Sequence, residues 1–221
     1  RRPPRSTPGR TLFPYTTLLP IYPQTMMRTT MPASTIRRFI DLVWLPQSGK
    51  CIETTQVMGY KPYYYFNQNS SFGTEAELRS LIAKFKANGI GAIADVVVNH
   101  RNTDGWFTFP AETYNGVTYQ MLSTDICKND DSGSTATQAK KDGVSLSNNY
   151  DEGTDFGGCR DIDHKSENVQ KIIKAYLKFL KEDMGYTGFR YDMVKGFSGS
   201  HVADYNDATG VKFSVGEYWD G

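Results

Sequence analysis

The sequence predicts a parallel α/β fold, and three observations carry that reading. Residues 89–100, GIGAIADVVVNH, form a nearly continuous apolar run, the mark of a parallel strand covered on both faces. Two stretches, 74–89 and 166–185, place apolar residues at helical spacing, and each leads into a strand-like segment. The resulting order of strand, helix, strand, helix, strand, helix, strand is that of parallel α/β folds.

Each element has a local reason. LVWLP, residues 42–46, is a short apolar run stopped by proline. TEAELRSLIAKFKANG, 74–89, opens with the capping box Thr74-x-x-Glu77 and sets Leu78, Leu81, Ile82 and Phe85 on one face, with Gly89 at the end. From Arg101 to about His164 runs a polar, glycine-rich segment without strong periodicity, too long for an ordinary connection. SENVQKIIKAYLKFLKEDMG, 166–185, turns Val169, Ile172, Ile173, Tyr176, Leu177 and Leu180 to one side. The segment 188–197, GFRYDMVKGF, reads as a strand carrying Arg190, Asp192 and Lys195. Side chains two apart on a strand share a face, so Arg190 and Asp192 point the same way, and a guanidinium beside a buried carboxylate favours its ionised form. A short helix near 200–208 and a strand over 212–219 follow. Residues 1–38 hold most of the ten prolines together with Arg, Thr and Met clusters. They carry no helical or strand period and are expected to be disordered or foreign to the fold.

Bulk properties exclude several function classes. Twenty-five Lys plus Arg face 24 Asp plus Glu, a formal charge of +1, which offers no electrostatic case for nucleic acid or an anionic membrane. No apolar run is long enough to span a bilayer. The basic start RRPPRSTPGR is not followed by an apolar signal region, so no signal peptide is visible and the compartment stays unassigned. The three cysteines, 51, 127 and 159, include no C-x-x-C, which argues against zinc. Cys127 and Cys159 remain open to pairing under oxidising conditions.

The polar residues gather at strand ends. Asn99 and His100 close one strand, Asp192 to Lys195 the next, and Glu217 stands near the end of the last. Ligands of parallel α/β folds bind beyond the carboxyl ends of the strands. Asp192 and Glu217, on neighbouring candidate strands, can converge as two carboxyl groups suited to glycosidic bond cleavage, one attacking the anomeric carbon and the other acting as acid and base.

The strings ADVVVNH, GFRYDMVKGF and VGEYWDG resemble three short motifs of the α-amylases, retaining glycoside hydrolases built on a (β/α)8 TIM barrel. LVWLP, MGYKP and FGTEAELRSLI resemble that family's second strand, the loop after it and the helix that follows. The resemblance covers residues 39–221 and is nearest to plant-type and bacterial enzymes whose second motif ends in Lys-Gly. It implies a partial barrel, about strands two to five, divided into 39–100, an irregular insert at 101–164 and a second barrel part at 165–221.

By position the resemblance makes Asp192 the nucleophile and Glu217 the acid/base, with Arg190 orienting the nucleophile. His100 would hydrogen-bond the sugar, Tyr60 stack on it, Lys195 contact the leaving-group side and Asp95 support the site from behind. EGTDFGGCRDIDH, 152–164, resembles the family's Ca²⁺-binding stretch. Asn99, Asp155 and Asp161 would supply side-chain oxygens, and Gly158 and Gly196 backbone carbonyls. Asp125, Asp130 and Asp131 are further oxygen donors outside that set.

The implied activity is hydrolysis of internal α-1,4-glucosidic bonds in starch, glycogen or maltodextrins by a monomeric full-length enzyme, with a secreted or periplasmic setting favoured. The family's third catalytic carboxylate belongs to an Asn-His-Asp motif that does not occur here, and the first strand is not recognisable. The chain therefore reads as the middle of an enzyme, inactive alone. Alternatives are a transglycosylase on the same scaffold, and a non-catalytic relative binding glucan or a protein partner. A phosphate-binding barrel enzyme would need a glycine-rich phosphate loop, and none of the P-loop or dinucleotide type is present.

Overall fold

The computed structural model describes residues 40–53 and 57–219. The expectation for residues 1–38 falls outside them. The sheet is four-stranded and wholly parallel, in the order β1 (Leu42–Leu45), β2 (Gly91–Val96), β7 (Gly188–Tyr191), β8 (Ser214–Gly216). Helix α1 (Glu75–Ala87) joins β1 to β2, α3 (Glu167–Lys178) precedes β7, and α4 (Gly199–Thr209) joins β7 to β8. The α/β reading holds, but the described strands do not close a barrel: β1 and β8 are edges.

Helix α1 begins where the capping box predicts. Thr74 accepts from the Glu77 amide, and the Glu77 carboxylate accepts from the Thr74 amide at 2.8 Å. Of its apolar face, Ile82 is fully buried, while Leu78, Leu81 and Phe85 pack at the edge of the core. Helix α3 buries Val169, Ile172, Ile173, Tyr176 and Leu177. It then widens into a π-helical turn, Phe179–Met184, which ends at Gly185 in the left-handed region. No described helix is long and apolar enough to cross a membrane.

Strand limits differ from the sequence expectation. The run 89–100 is two elements: β2 stops at Val96, and His100–Arg101 form β3, antiparallel to β6 (Arg160–Asp161). β7 stops at Tyr191, so Asp192 leaves the strand and Lys195 lies in a 3₁₀ turn, Val194–Gly196. The cause is Met193, whose backbone is left-handed (φ 46°, ψ 48°), a conformation that no strand can carry. β8 is three residues long and ends one residue before Glu217.

The segment between β3 and α3 is more regular than its composition suggests. A hairpin, β4 (Glu112–Tyr114) and β5 (Val117–Tyr119), turns through Asn115 and Gly116, both at positive φ, as a two-residue Asn-Gly turn requires. Helix α2 (Ser134–Asp142) buries only Thr135 and Ala139. Cys51, Cys127 and Cys159 are buried free thiols, so the pairing left open for Cys127 and Cys159 is not made.

One clamp fastens this segment to the loop after β1. Arg101, 1% exposed, pairs with Glu112 at 2.8 Å and donates to the Tyr63 carbonyl. Glu112 in turn accepts from the Tyr65 and Phe66 amides at 2.9 and 2.8 Å. The Asn102 amide donates to the Pro62 carbonyl. The loop carrying Tyr60 is thus held by side chains and backbone from beyond β2.

Candidate active site

Register sets the site. Asp95 of β2 lies opposite Arg190 of β7, and Arg190 opposite Val215 of β8, so three adjacent strands deliver polar groups to one end. The Arg190 guanidinium is shared by three carboxylates. Its Nη1 is 2.8 Å from Asp95 Oδ1 and 2.8 Å from Asp192 Oδ1, and its Nη2 is 2.8 Å from Glu217 Oε1. Trp44 packs over it, 5.0 Å from ring centre to guanidinium carbon. Asp95 is 2% and Asp192 7% exposed, whereas the Glu217 side chain keeps about a third of its surface, 34%.

Backbone contacts lock Glu217 against β7. Its amide donates to the Tyr191 carbonyl at 2.8 Å, its carbonyl accepts from the Val194 amide at 3.1 Å, and its Oε2 accepts from the Met193 amide at 3.2 Å. The Asp192 amide donates to the Val96 carbonyl.

The electrostatics depart from the sequence reading in one respect. Arg190 pairs with Asp192 as expected, yet burial raises the Asp192 carboxyl to about 7, against the opposing pull of Arg190 and with help from Asp95 and Glu217. Asp95 is raised too, by burial first, with Arg190 opposing. One cation serving three carboxylates cannot offset the desolvation of all of them.

Tyr60, partly exposed, donates its hydroxyl to Asp95 Oδ2 at 3.1 Å. His100 is 1% exposed and stacks on Phe156 with ring centres 4.0 Å apart. Its Nε2 lies 2.8 Å from the Tyr60 carbonyl, which only accepts, so the proton sits on Nε2. Nδ1 is then left as an acceptor, 3.4 Å from Asn99 Nδ2. Burial lowers its pKa to about 4, so the ring is neutral in solution near pH 7. His100 therefore sits behind Tyr60. Lys195 reaches the other flank, its Nζ 3.3 Å from the centre of the Trp219 ring.

Two of the expected metal ligands also gather. Asp155 and Asp161 are joined by Asp130, which the sequence reading left outside, and the three offer oxygens within 4.8 Å of one another. Asn99 Nδ2 donates to Asp161 Oδ1 at 3.2 Å. A Cβ on Gly196 would stand 2.0 Å from Asn99 Oδ1, so only glycine lets that backbone approach. Gly158 lies in the exposed turn between Asp155 and Asp161. Burial drives the Asp161 carboxyl well above the usual carboxylate range, with Asp151 and Asp130 adding repulsion.

Comparison with known proteins decides the family. Residues 40–215 match the model of the alpha-amylase catalytic domain. The chain belongs to the alpha-amylase family. It is 35% identical over 179 residues to the chloroplastic alpha-amylase 3 of Arabidopsis thaliana, covering 81% of this chain and 19% of that protein. To the probable alpha-amylase 2 of the same plant it is 31% identical over 178 residues, covering 80% and 39%. The fold matches a solved alpha-amylase from Malbranchea cinnamomea with a TM-score of 0.58 and 22% identity, over 85% of this chain and 38% of that one. The chain thus spans well under half the length of these alpha-amylases.

Proposed function

We propose that this chain is the central part of a retaining α-glucan hydrolase, corresponding to about the second to fifth strands of a (β/α)8 barrel with an insert at 101–164. The observation that carries this reading is the placement of Asp192 and Glu217 on one guanidinium at adjacent strand ends, in a chain of the alpha-amylase family. Two carboxyl groups tethered so closely suit a double displacement, for which a separation of ~5–5.5 Å is typical.

In the first step Glu217 gives its proton to the glycosidic oxygen. That C–O bond breaks as the Asp192 carboxylate bonds the anomeric carbon, forming a glycosyl ester. In the second step the Glu217 carboxylate takes a proton from water, the water oxygen bonds the anomeric carbon, and Asp192 leaves as carboxylate. Arg190 offsets the charge returning to Asp192. Tyr60 offers its ring to the sugar while its hydroxyl stays on Asp95, and Lys195 binds on the leaving-group side. His100 would reach sugar only when the Tyr60 carbonyl releases it.

The oxygen cluster suits a hard cation, and the absence of sulfur or imidazole from it suits Ca²⁺. Asn99, Asp155, Asp161 and the Gly158 and Gly196 carbonyls would hold it, with Asp130 added. The ion would relieve repulsion among buried carboxylates and fasten the insert to the turn after β7.

The test is starch hydrolysis by the full-length protein, with the anomer of the released sugar followed by proton NMR. The α-anomer should appear first, and Asp192→Asn and Glu217→Gln should each lower turnover by ~10³-fold or more. A β-anomer as first product, or near-normal turnover in either variant, would overturn the assignment.

A further inference from the structure

Met193 stands between the two carboxylates in sequence and space, and its conformation is the least expected in the site. A bulky, non-glycine residue in the left-handed region is rare and persists only where its surroundings hold it. Here the holding contacts are identifiable. Its amide points at Glu217 Oε2, 3.2 Å away, and its Sδ receives Asn99 Nδ2 at 3.7 Å. Its carbonyl accepts from the Gly196 amide at 3.0 Å. Asn99 in turn donates to Asp161, so one unbroken path runs from the acidic cluster through Asn99 and Met193 to Glu217.

We propose that Met193 is a positioning residue for Glu217: its left-handed backbone aims one amide at the carboxylate, and its sulfur, seated on Asn99, keeps that backbone in place. This rests on the assignment of Glu217 as acid/base. A continuing strand would send the 193 amide into the ladder with β8. The left-handed turn instead frees it as a donor to a side chain. The sulfur is a weak acceptor, but it sits where the chain must be held in its unfavoured conformation. The acidic cluster would thereby influence the orientation of the proton donor without touching substrate.

The experiment separates shape from acceptor. In the full-length protein, Met193→Leu puts a carbon at the δ position and cannot accept from Asn99. Met193→Asn puts an oxygen there and tolerates the left-handed region better than most residues. Loss of orientation should appear in the chemical step, so Met193→Leu should lower kcat by ~5–10-fold with KM within about twofold of the parent. Met193→Asn should keep kcat within about threefold, and both variants should melt cooperatively. Equal kcat for Met193→Leu and the parent, or equal losses in both variants, would overturn the inference. So would a Met193→Leu variant that fails to fold beside a folded Met193→Asn variant without the expected activity. Glu217→Gln, run alongside, distinguishes the causes. If it stays active, the acid/base assignment has failed and takes this inference with it. If it is inactive while Met193→Leu matches the parent, only the positioning role falls.

Discussion

Arg190 bonds Asp192 through Nη1 and Glu217 through Nη2, each at 2.8 Å, so one planar cation spaces the two carboxyl groups of the site. The same Nη1 also holds Asp95. A lysine could not repeat this, because a point charge has no fork to divide between partners. The arrangement places more negative than positive charge in a partly dehydrated end of the sheet, and a first prediction follows from that imbalance.

The first concerns pH and stability. The Asp192 carboxyl is raised from 3.8 to about 7, so the folded state binds its proton more tightly than the unfolded state does. Ionising it therefore costs stability, progressively as pH rises from about 4 to about 7 and fully above that. Asp192→Asn, which keeps the shape without the charge, should raise Tm in the full-length protein at pH 8 by ~2–5 °C, with the gain shrinking toward zero at pH 4. A variant less stable than the parent at pH 8, or equally stabilised at both pH values, would show that Arg190 balances the site better than the burial argument allows.

The second concerns the buried clamp. Glu112→Ala would leave Arg101 uncompensated at 1% exposure and free two backbone amides of the Tyr60 loop. Breaking such a pair should cost ~3–5 kcal/mol, read from urea unfolding. Arg101→Met with Glu112→Met should recover much of that loss, because the desolvated charges go together. A loss under about 1 kcal/mol in the single variant would mean the clamp is dispensable.

How far the site was legible in the sequence depends on the kind of signal. The capping box of α1 and the two-faced burial of β2 follow from spacing and apolarity alone, and both stand in the fold. The pairing of Arg190 with Asp192, expected from their spacing of two, is made, although Asp192 lies just past the end of β7. Strand ends were not legible, since apolar alternation says nothing of the left-handed turn at Met193 that removes Lys195 from the strand. Helix α2 was invisible because STATQAKKD has no apolar face and buries only Thr135 and Ala139. The hairpin did leave a signal, Asn115-Gly116 between ETY and VTY, which the surrounding polar composition obscured. Asp130 joins Asp155 and Asp161 because the Asp161 amide donates to Asp130 Oδ1 at 2.7 Å and the neighbouring Asp131 amide donates to Asp155 Oδ1, contacts that no local pattern encodes. Phe156 behind His100 is a long-range packing partner of the same kind.

A third prediction addresses the oxygen cluster. Chelation should lower the Tm of the full-length protein, and added Ca²⁺ should restore it. Asp155→Ala and Asp130→Asn should each weaken the dependence by removing a donor. Asp155 also caps the Asp131 and Ser132 amides at 3.0 and 2.7 Å, so its variant should be less stable even without calcium. Failure of added Ca²⁺ to raise Tm, in protein shown beforehand to be free of calcium, would remove the ion from the account.

The most direct test of the central claim is to trap the glycosyl ester. The Glu217→Gln protein, incubated with an α-glucosyl fluoride, needs no acid for fluoride to depart but lacks the base that activates water for the second step. The enzyme should therefore accumulate one glycosyl residue, and mass spectrometry of its peptides should locate that residue on Asp192. An adduct on another carboxylate would contradict the assignment of the nucleophile. Turnover of the fluoride with inverted configuration and no adduct would contradict the double displacement itself.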